Sequence, residues 1–366
     1  MKFKLLLLSV SVLVSFLMLE GMLRLIYDVP PRWIEPQTVH LLDPRLGWIL
    51  PANDHSFTID APVDTNSHGL RDDEMPMAKP ASETRILSLG DSFTFALGVR
   101  FEDLYVQQLE RKLRALHPER SFQVINAGVA GYNTTQELVF LLTDGVRYEP
   151  DLITLGFYWN DLLGNGQPLP EVDGPIRRDI ARKEESNDPG HLLPAWIRDR
   201  LRQSLVLYLG VTRGKNLVAA LGAPESEIVG IQRAILAGDA EALAPYWRAT
   251  GERLRAIARA ARERGIPVVL VSFPMENHVR QPDPSPVYGE ALRREWQETG
   301  FPIVDLEGPY RASIAEGANP YLPYDLHPGP LGMEIASDEI YQELVRSGFV
   351  AEGSGAASPS PSAIDR

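Results

Sequence analysis

The chain has 366 residues, no cysteine and a formal net charge of −13. A chain without cysteine excludes disulfides, thiolate metal sites and a cysteine nucleophile. The acidic balance, without any basic stripe, argues against nucleic acid as a partner, and the 44% of hydrophobic residues suffices for a large buried core.

The chain begins with an apolar segment, residues 5–19, which follows Lys2 and Lys4 and ends at Glu20. Because no small-residue cleavage site follows it, the segment favours a transmembrane helix that stays attached as a single-pass anchor over residues 1–27. The two lysines predict a cytoplasmic N-terminus, which places the remaining chain in the periplasm or outside the cell. A cleaved signal peptide, with secretion of the protein, and a buried core helix are the alternatives.

Residues 28–83 are rich in proline and turn-forming residues. This composition argues against long helices and predicts a linker or a small N-terminal extension. Its two apolar runs, 46–50 and 57–59, are compatible with a small hairpin. His68 lies in a turn-forming stretch, where a turn or surface role is expected and a place in a pocket is the alternative.

From residue 84 to 350 the pattern predicts one domain of alternating strands and helices. This alternation indicates a parallel sheet with helices on both faces. Residues 164–235 break the rhythm and are expected to form an insertion, either a lid or substrate wall beside the site or a peripheral excursion. The tail, 351–366, lacks core-forming residues and is predicted to be disordered. The strands are predicted at 85–89, 122–126, 151–156, 267–273 and 302–305, and the helices at 103–116, 134–147, 240–264, 286–299 and 331–347.

Polar residues follow three of these strands. Gly90-Asp91-Ser92 ends the first, Asn126-Ala127-Gly128 ends the second, and Asn160 follows the third, while His327 lies in a late loop. Loops at the carboxyl ends of parallel strands are where open α/β proteins bind and react with ligands. A serine hydroxyl in such a loop is a nucleophile only with a base and with donors for the developing oxyanion.

In this order, Ser92, Gly128, Asn160 and His327 resemble the four conserved blocks of the SGNH hydrolases, the GDSL family of esterases and lipases, over about residues 85–344. The resemblance implies a three-layer α/β/α sandwich of the flavodoxin-like type, whose five-stranded parallel sheet has the order 2-1-3-4-5. It also implies a serine esterase that works through an acyl-enzyme, with no cofactor and no metal.

By the same resemblance, Ser92 is the nucleophile and His327 the base that takes its proton. The oxyanion hole is implied to consist of the backbone N–H groups of Ser92 and Gly128 and the side-chain amide of Asn160. Asp325 is the carboxylate expected to orient His327.

Asp325 departs from the family pattern, because the family usually has this carboxylate three residues before the histidine, where this chain has Tyr324. A spacing of two also occurs in a branch that resembles alginate acetyltransferases, which favours a transferase. Asp91 and Asp161 are expected to shape or cap their turns. His278, after the fourth strand, is expected in a surface loop, with the mouth of the pocket as the alternative.

The function implied is that of an extracytoplasmic ester hydrolase acting on O-acyl groups, such as O-acetyl, of cell-surface glycans or on lipid esters. An O-acyltransferase of a surface polysaccharide that uses the same triad is one alternative. A non-catalytic glycan-binding or scaffold protein is another. The expected partners are the acylated substrate and, through the N-terminal helix, the membrane.

Overall fold

The computed structural model describes residues 2–26, 34–165, 201, 203–207, 209–210, 227–323 and 325–351. The strands are β1 (Leu41–Asp43), β2 (Gly47–Ile49), β3 (His55–Thr58), β4 (Ala61–Asp64), β5 (Glu83–Gly90), β6 (Ser121–Gly128), β7 (Leu152–Phe157), β8 (Val268–Ser272) and β9 (Ile303–Asp305). The helices are α1 (Lys2–Leu23), α2 (Ser92–Phe95), α3 (Tyr105–Leu116), α4 (Thr134–Thr143), α5 (Glu227–Ala237), α6 (Ala240–Arg262), α7 (Glu276–Val279), α8 (Val287–Gln297), α9 (Glu307–Ala315) and α10 (Pro330–Arg346).

The central sheet has five parallel strands in the order β6-β5-β7-β8-β9. This order confirms the predicted 2-1-3-4-5 arrangement. The strands are mostly continuous apolar runs, and β7 is buried along its whole length, as expected of a parallel sheet covered on both faces.

The helices cover both faces of this sheet because β6 lies on one side of β5, and the later strands β7, β8 and β9 follow on the other side. Right-handed crossovers then place α3 on one face and α4, α6 and α8 on the other. Helix α10 packs on α3, and α4 and α8 both pack on α6. The direction of winding reverses between β5 and β7, and the loops that follow these two strands form the crevice where ligands bind in such folds.

The apolar N-terminal segment is helical, in α1. Glu20, which ends the apolar run, accepts hydrogen bonds from the hydroxyl of Ser204 at 2.9 Å and from the backbone N–H groups of Leu205 and Val206 at 3.1 Å. Within the part of the chain that the structure describes, no helix has the length and apolar character needed to cross a membrane. The predicted transmembrane helix is therefore not supported.

The predicted hairpin between 46–50 and 57–59 is wrong, because each run pairs with its own neighbour: β1 with β2, and β3 with β4. The chain reverses at Asp43, whose carboxylate accepts the backbone N–H groups of Arg45 and Leu46 at 2.8 and 2.9 Å. Such a side-chain-to-backbone turn closes the first hairpin locally.

The segment before the sheet is an extension of the domain rather than a linker. Trp48 donates its indole N–H to the carbonyl of Ala130 at 3.1 Å, and Tyr132 donates its hydroxyl to the carbonyl of Trp48 at 2.7 Å. Prolines and turns hide this packing in the sequence, because its partners lie about eighty residues away in the chain. The residues of the extension that belong to the common core are Leu46, Trp48, Leu50, Val63, Leu70 and Met75.

The insertion expected at 164–235, either a lid or substrate wall or a peripheral excursion, and the disorder predicted for the tail fall mostly on 166–200, 211–226 and 352–366, outside the described residues. Within the insertion, 205–207 and 209–210 are helical, as the apolar run there predicts.

Candidate active site

The turn that carries Ser92 is built from β5 and the short helix α2. Asp91 caps α2, because its Oδ1 accepts the backbone N–H of Phe93 at 2.9 Å. Ser92 is the first residue of α2 and its side chain lies at the carboxyl edge of the sheet, where it is 7% exposed. The expected capping role of Asp91 is confirmed.

Three glycines, at the ends of three adjacent strands, make room for this turn. They are Gly90 in β5, Gly128 in β6 and Gly156 in β7, and a Cβ on any of them would clash with Thr94. Thr94 occupies the space that they leave, and its hydroxyl donates to the Leu89 carbonyl at 3.3 Å. The close approach of α2 to the sheet thus depends on residues without a side chain.

Ser92, His327 and Asp325 come together although Ser92 lies 235 positions before His327 in the chain. The Nε2 atom of His327 lies 2.8 Å from the Oγ atom of Ser92, and its Nδ1 atom contacts Oδ1 of Asp325. This arrangement fits a histidine protonated on Nδ1, which donates to Asp325 and accepts the Ser92 proton on Nε2.

Asp325 reaches His327 from a spacing of two residues through a side-chain turn. The same Oδ1 atom that contacts the imidazole also accepts the backbone N–H of His327 at 3.0 Å. Burial raises the pKa of Asp325, but the hydrogen bond from His327 and its charge outweigh this effect and lower the pKa below its ordinary value. Asp325 is therefore an anion over the neutral pH range.

Aromatic rings fix the imidazole from the side. The ring of Phe93 lies 4.8 Å from the ring of His327 and 3.8 Å from that of Tyr158, measured between centroids. Phe93 and Tyr158 are buried, so the imidazole lies against a rigid wall.

Asn160 lies beside the Ser92 turn, in the short 3-10 turn Trp159–Leu162 that follows β7. Its Nδ2 atom donates to Oδ2 of Asp91 at 2.8 Å, and the Ser92 hydroxyl lies 3.4 Å from the same oxygen. Asp161 accepts the backbone N–H of Tyr158 at 2.9 Å, so it caps this turn as predicted. Burial raises the pKa of Asp91, whose side chain is almost completely enclosed.

The place of Gly128 in the oxyanion hole stays a prediction. Its backbone N–H donates to Oδ1 of Asn126 at 3.0 Å and is already engaged. The physical reason is the Asn-Ala-Gly sequence itself, since an asparagine commonly accepts the N–H two residues on. In this structure Gly128 provides space for Thr94 rather than a free donor.

Two residues of the extension that line or support this region could not be identified from the sequence. Trp48 lies against Gly131, a glycine with a left-handed φ of 81° in the loop after β6. Arg71 is fully buried, and its guanidinium donates to the carbonyls of Phe95 and Ala96, just after Ser92, at 2.8 Å each. From the sequence, only a turn could be predicted around Arg71, and not the burial of its guanidinium.

The two other histidines singled out in the sequence, His68 and His278, have hydrogen-bond partners of their own. His68 is in a turn and contacts the carbonyl of Met75 at 3.1 Å. The expectation of a surface loop for His278 is wrong: its side chain is 3% exposed, contacts the carbonyl of Ser285 at 2.9 Å, and lines a small cavity that Trp159 also borders. In the described ranges, no cluster of three or more His, Asp or Glu side chains has metal-binding geometry.

A hydroxyl, an imidazole and a carboxylate in line, at the carboxyl edge of a parallel sheet, define a class of proteins that transfer acyl groups through a serine. A family model described as the GDSL-like Lipase/Acylhydrolase family matches residues 88–335. The chain belongs to this family of SGNH-type esterases, which argues against the non-catalytic alternative. A comparison with curated proteins finds no match.

The chain is also similar to solved structures at low identity. One is a two-domain esterase (CEX) active on acetylated mannans, at 16% identity and a TM-score of 0.43, with 76% of this chain and 54% of that one covered. This chain thus spans about half the length of that esterase. TesA has 17% identity and a TM-score of 0.41, with 71% and 98% covered. Axe2, an acetylxylan esterase from Geobacillus stearothermophilus, has 16% identity and a TM-score of 0.42, with 71% and 94% covered.

Proposed function

We propose that the chain hydrolyses carboxylic esters with Ser92 as the nucleophile, His327 as the general base and Asp325 as the carboxylate that orients it. The observation that carries this proposal is the 2.8 Å contact between His327 Nε2 and Ser92 Oγ. As Oγ attacks the ester carbonyl carbon, its proton moves to Nε2, and Asp325 stabilises the resulting imidazolium.

The leaving alcohol then takes the proton from Nε2 as the tetrahedral intermediate collapses to an acyl-serine. In the second half of the reaction, water takes the place of the alcohol: His327 accepts its proton, and the hydroxide attacks the acyl carbon. Collapse releases the carboxylic acid and returns the proton to Ser92.

The amide of Asn160 is the side-chain donor for the oxyanion. An amide carries two hydrogens, and the bond to Asp91 uses one of them. Asp91 thereby fixes the plane of the amide and leaves the second hydrogen for the substrate oxygen. The Ser92 backbone N–H is the other proposed donor, while the Gly128 N–H is engaged by Asn126.

Labelling with a fluorophosphonate probe tests the nucleophile directly. The full chain should be labelled at Ser92, and Ser92→Ala should abolish the labelling. Ser347→Ala, at the far end of α10 from His327, is the matched control and should be labelled like the wild type. Undiminished labelling of Ser92→Ala would refute the assignment.

We also propose that the substrates are O-acyl groups, such as O-acetyl, of cell-surface glycans or lipid esters outside the cytoplasm. The apolar run 5–19 behind Lys2 and Lys4 supports this location. Cell fractionation with an alkaline wash tests it: the chain should stay with the membranes. A mature protein that starts near residue 20–30 would show a secreted protein instead, and recovery of the intact chain in the cytoplasm would contradict the location.

The spacing of Asp325 and His327 favours a second candidate, an O-acyltransferase with the same residues. The acyl-serine is common to both reactions, and only the acceptor differs. An assay with an acyl donor and a polysaccharide acceptor separates them: acylated polysaccharide indicates a transferase, and free acid alone indicates a hydrolase.

A further inference from the structure

Two buried carboxyl groups lie behind the turn that carries Asn160. Glu137 on α4 is 1% exposed and Asp161 is 0% exposed. One oxygen of Asp161 accepts the Tyr158 N–H. Among the residues with described positions, its other oxygen and both oxygens of Glu137 have no hydrogen-bond partner. Buried carboxyl oxygens without donors are costly, so this pair calls for an explanation.

The two carboxyl groups belong to elements that are joined side by side. Asn165 makes the junction: its Oδ1 accepts the backbone N–H and the hydroxyl of Thr135 at 3.1 and 2.9 Å, and its Nδ2 donates to the carbonyl of Asp161. Thr135 lies two residues before Glu137 in α4. The first turn of α4 and the Asn160 turn are therefore held together, with a buried acid on each.

Among the described residues, the titratable groups around the pair add negative charge, and no cation is bonded to either carboxyl group. Asp91 lies at the end of β5 and Tyr288 on α8: the charge of Asp91 acts on both acids, and the charge of Asp161 acts on Tyr288. From α6, Arg253 donates its Nε–H to the hydroxyl of Thr135 at 3.2 Å. Burial raises the pKa values of Glu137 and Asp161 well above their ordinary range, and the charges of Glu137 and Asp91 raise that of Asp161 further.

We propose that Glu137 and Asp161 share one proton and act as a positioning pair for Asn160. Two buried like charges without a bonded cation cannot both persist, whereas one proton between them forms a hydrogen bond from the neutral acid to the anion. This bond supplies a partner for two of the three oxygens that otherwise have none. It holds Asp161, and hence the Tyr158–Asp161 cap, in the place that aims the Asn160 amide.

The inference rests on the proposed oxyanion role of Asn160, and it adds a dependence on pH. When hydroxide removes the shared proton, both carboxyl groups become anions and repel each other, and the turn moves. The loss should appear in kcat rather than KM, because an oxyanion donor acts in the transition state.

The test compares kcat and KM of the full chain on p-nitrophenyl acetate from neutral to alkaline pH. Glu137→Gln keeps the shape of the side chain and offers a permanent N–H donor to Asp161 without a second titration. Asp161→Asn is the second variant, since its amide oxygen can still accept the Tyr158 N–H. The matched control is Glu110→Gln, another buried acid, which accepts the Val124 N–H at 2.7 Å and does not contact the Asn160 turn.

We expect the wild type and Glu110→Gln to lose kcat by about tenfold per pH unit on the alkaline side, as for the loss of one proton. Glu137→Gln and Asp161→Asn should lack this loss. A difference infrared spectrum at neutral pH gives a readout without turnover: the wild type should show the C=O stretch of a protonated carboxylic acid that Glu137→Gln lacks.

An alkaline loss that is the same in the wild type and Glu137→Gln, or infrared spectra without this difference, would overturn the inference. Failure of the proposed function has another signature, namely that Ser92→Ala and Asn160→Ala retain the wild-type kcat. The two failures can therefore be told apart in the same set of variants.

Discussion

Replacing Asp325 by Asn isolates the charge that faces the imidazole of His327. An asparagine keeps a side-chain oxygen that can accept the His327 backbone N–H, which the carboxylate accepts at 3.0 Å, so the turn should persist. What is lost is the counter-charge to the imidazolium that forms when Ser92 gives up its proton. We therefore expect a lower kcat with little change in KM or in thermal stability.

The expected magnitude follows from the exposure of the two side chains, which is 35% for Asp325 and 20% for His327. Two unit charges about 4 Å apart attract by about 1 kcal/mol in water and about 4 kcal/mol at an effective dielectric constant of about 20. A partly exposed pair lies between these limits, at about 2–3 kcal/mol. This corresponds to a roughly 30- to 150-fold loss in kcat.

Steady-state hydrolysis of a short-chain ester measures this loss, with thermal unfolding as the check on the fold. A matched control exists in the same chain, because His55 and Asp64 form an exposed pair with 2.6 Å between Nδ1 and Oδ1. Asp64→Asn should leave kcat unchanged. A loss of less than about threefold in Asp325→Asn would show that His327 does not depend on this carboxylate, and the site would then be a Ser–His dyad.

Three further substitutions test other parts of the site and its support. Asn160→Ala should lower kcat by roughly 10²- to 10³-fold without unfolding the chain, the typical effect of removing one oxyanion donor, and near-wild-type turnover would refute that role. Gly128→Ala would place a Cβ 2.6 Å from the carbonyl carbon of Thr94, so the free energy of unfolding in denaturant should fall by about 1–3 kcal/mol, whereas an unchanged midpoint would contradict the packing argument. Burial raises the pKa of Asp72 from 3.8 to about 7, so the folded chain binds a proton that the unfolded chain releases in that window. Stability should therefore fall as the pH rises from about 4 to about 7, by on the order of 4 kcal/mol, and Asp72→Asn should flatten this slope in pH-dependent unfolding.

Local pattern was enough to predict the strands of the sheet, whereas the strand order and the meeting of Ser92 with His327 followed from the resemblance to the SGNH hydrolases. Each strand is an apolar run closed by glycine or a polar residue, and the crossovers of a parallel sheet leave few alternatives for the strand order. The Asp325 turn was also within reach, because aspartate readily accepts the backbone N–H two residues on.

Other parts of the site depend on contacts that no local pattern encodes. Asp161 was predicted to cap its turn, but nothing in the sequence indicates that it and Glu137 are both buried, because their burial depends on tertiary packing. The backbone N–H of Gly128 shows a further limit of sequence analysis: a motif indicates where a residue lies, but the partner of its N–H depends on Asn126, which competes for it.

The buried guanidinium of Arg71 has a consequence for attempts to move this activity into other proteins. Besides its bonds to the helix after Ser92, it donates to the carbonyls of Val99 at 2.7 Å and Pro62 at 3.0 Å. These bonds join the extension to the catalytic loop, whereas the family match begins only at residue 88. A chimera cut at that position would lose a cation that four carbonyls now surround. In domain exchange among relatives, the extension from about residue 34 should therefore be transferred together with the catalytic domain as one unit.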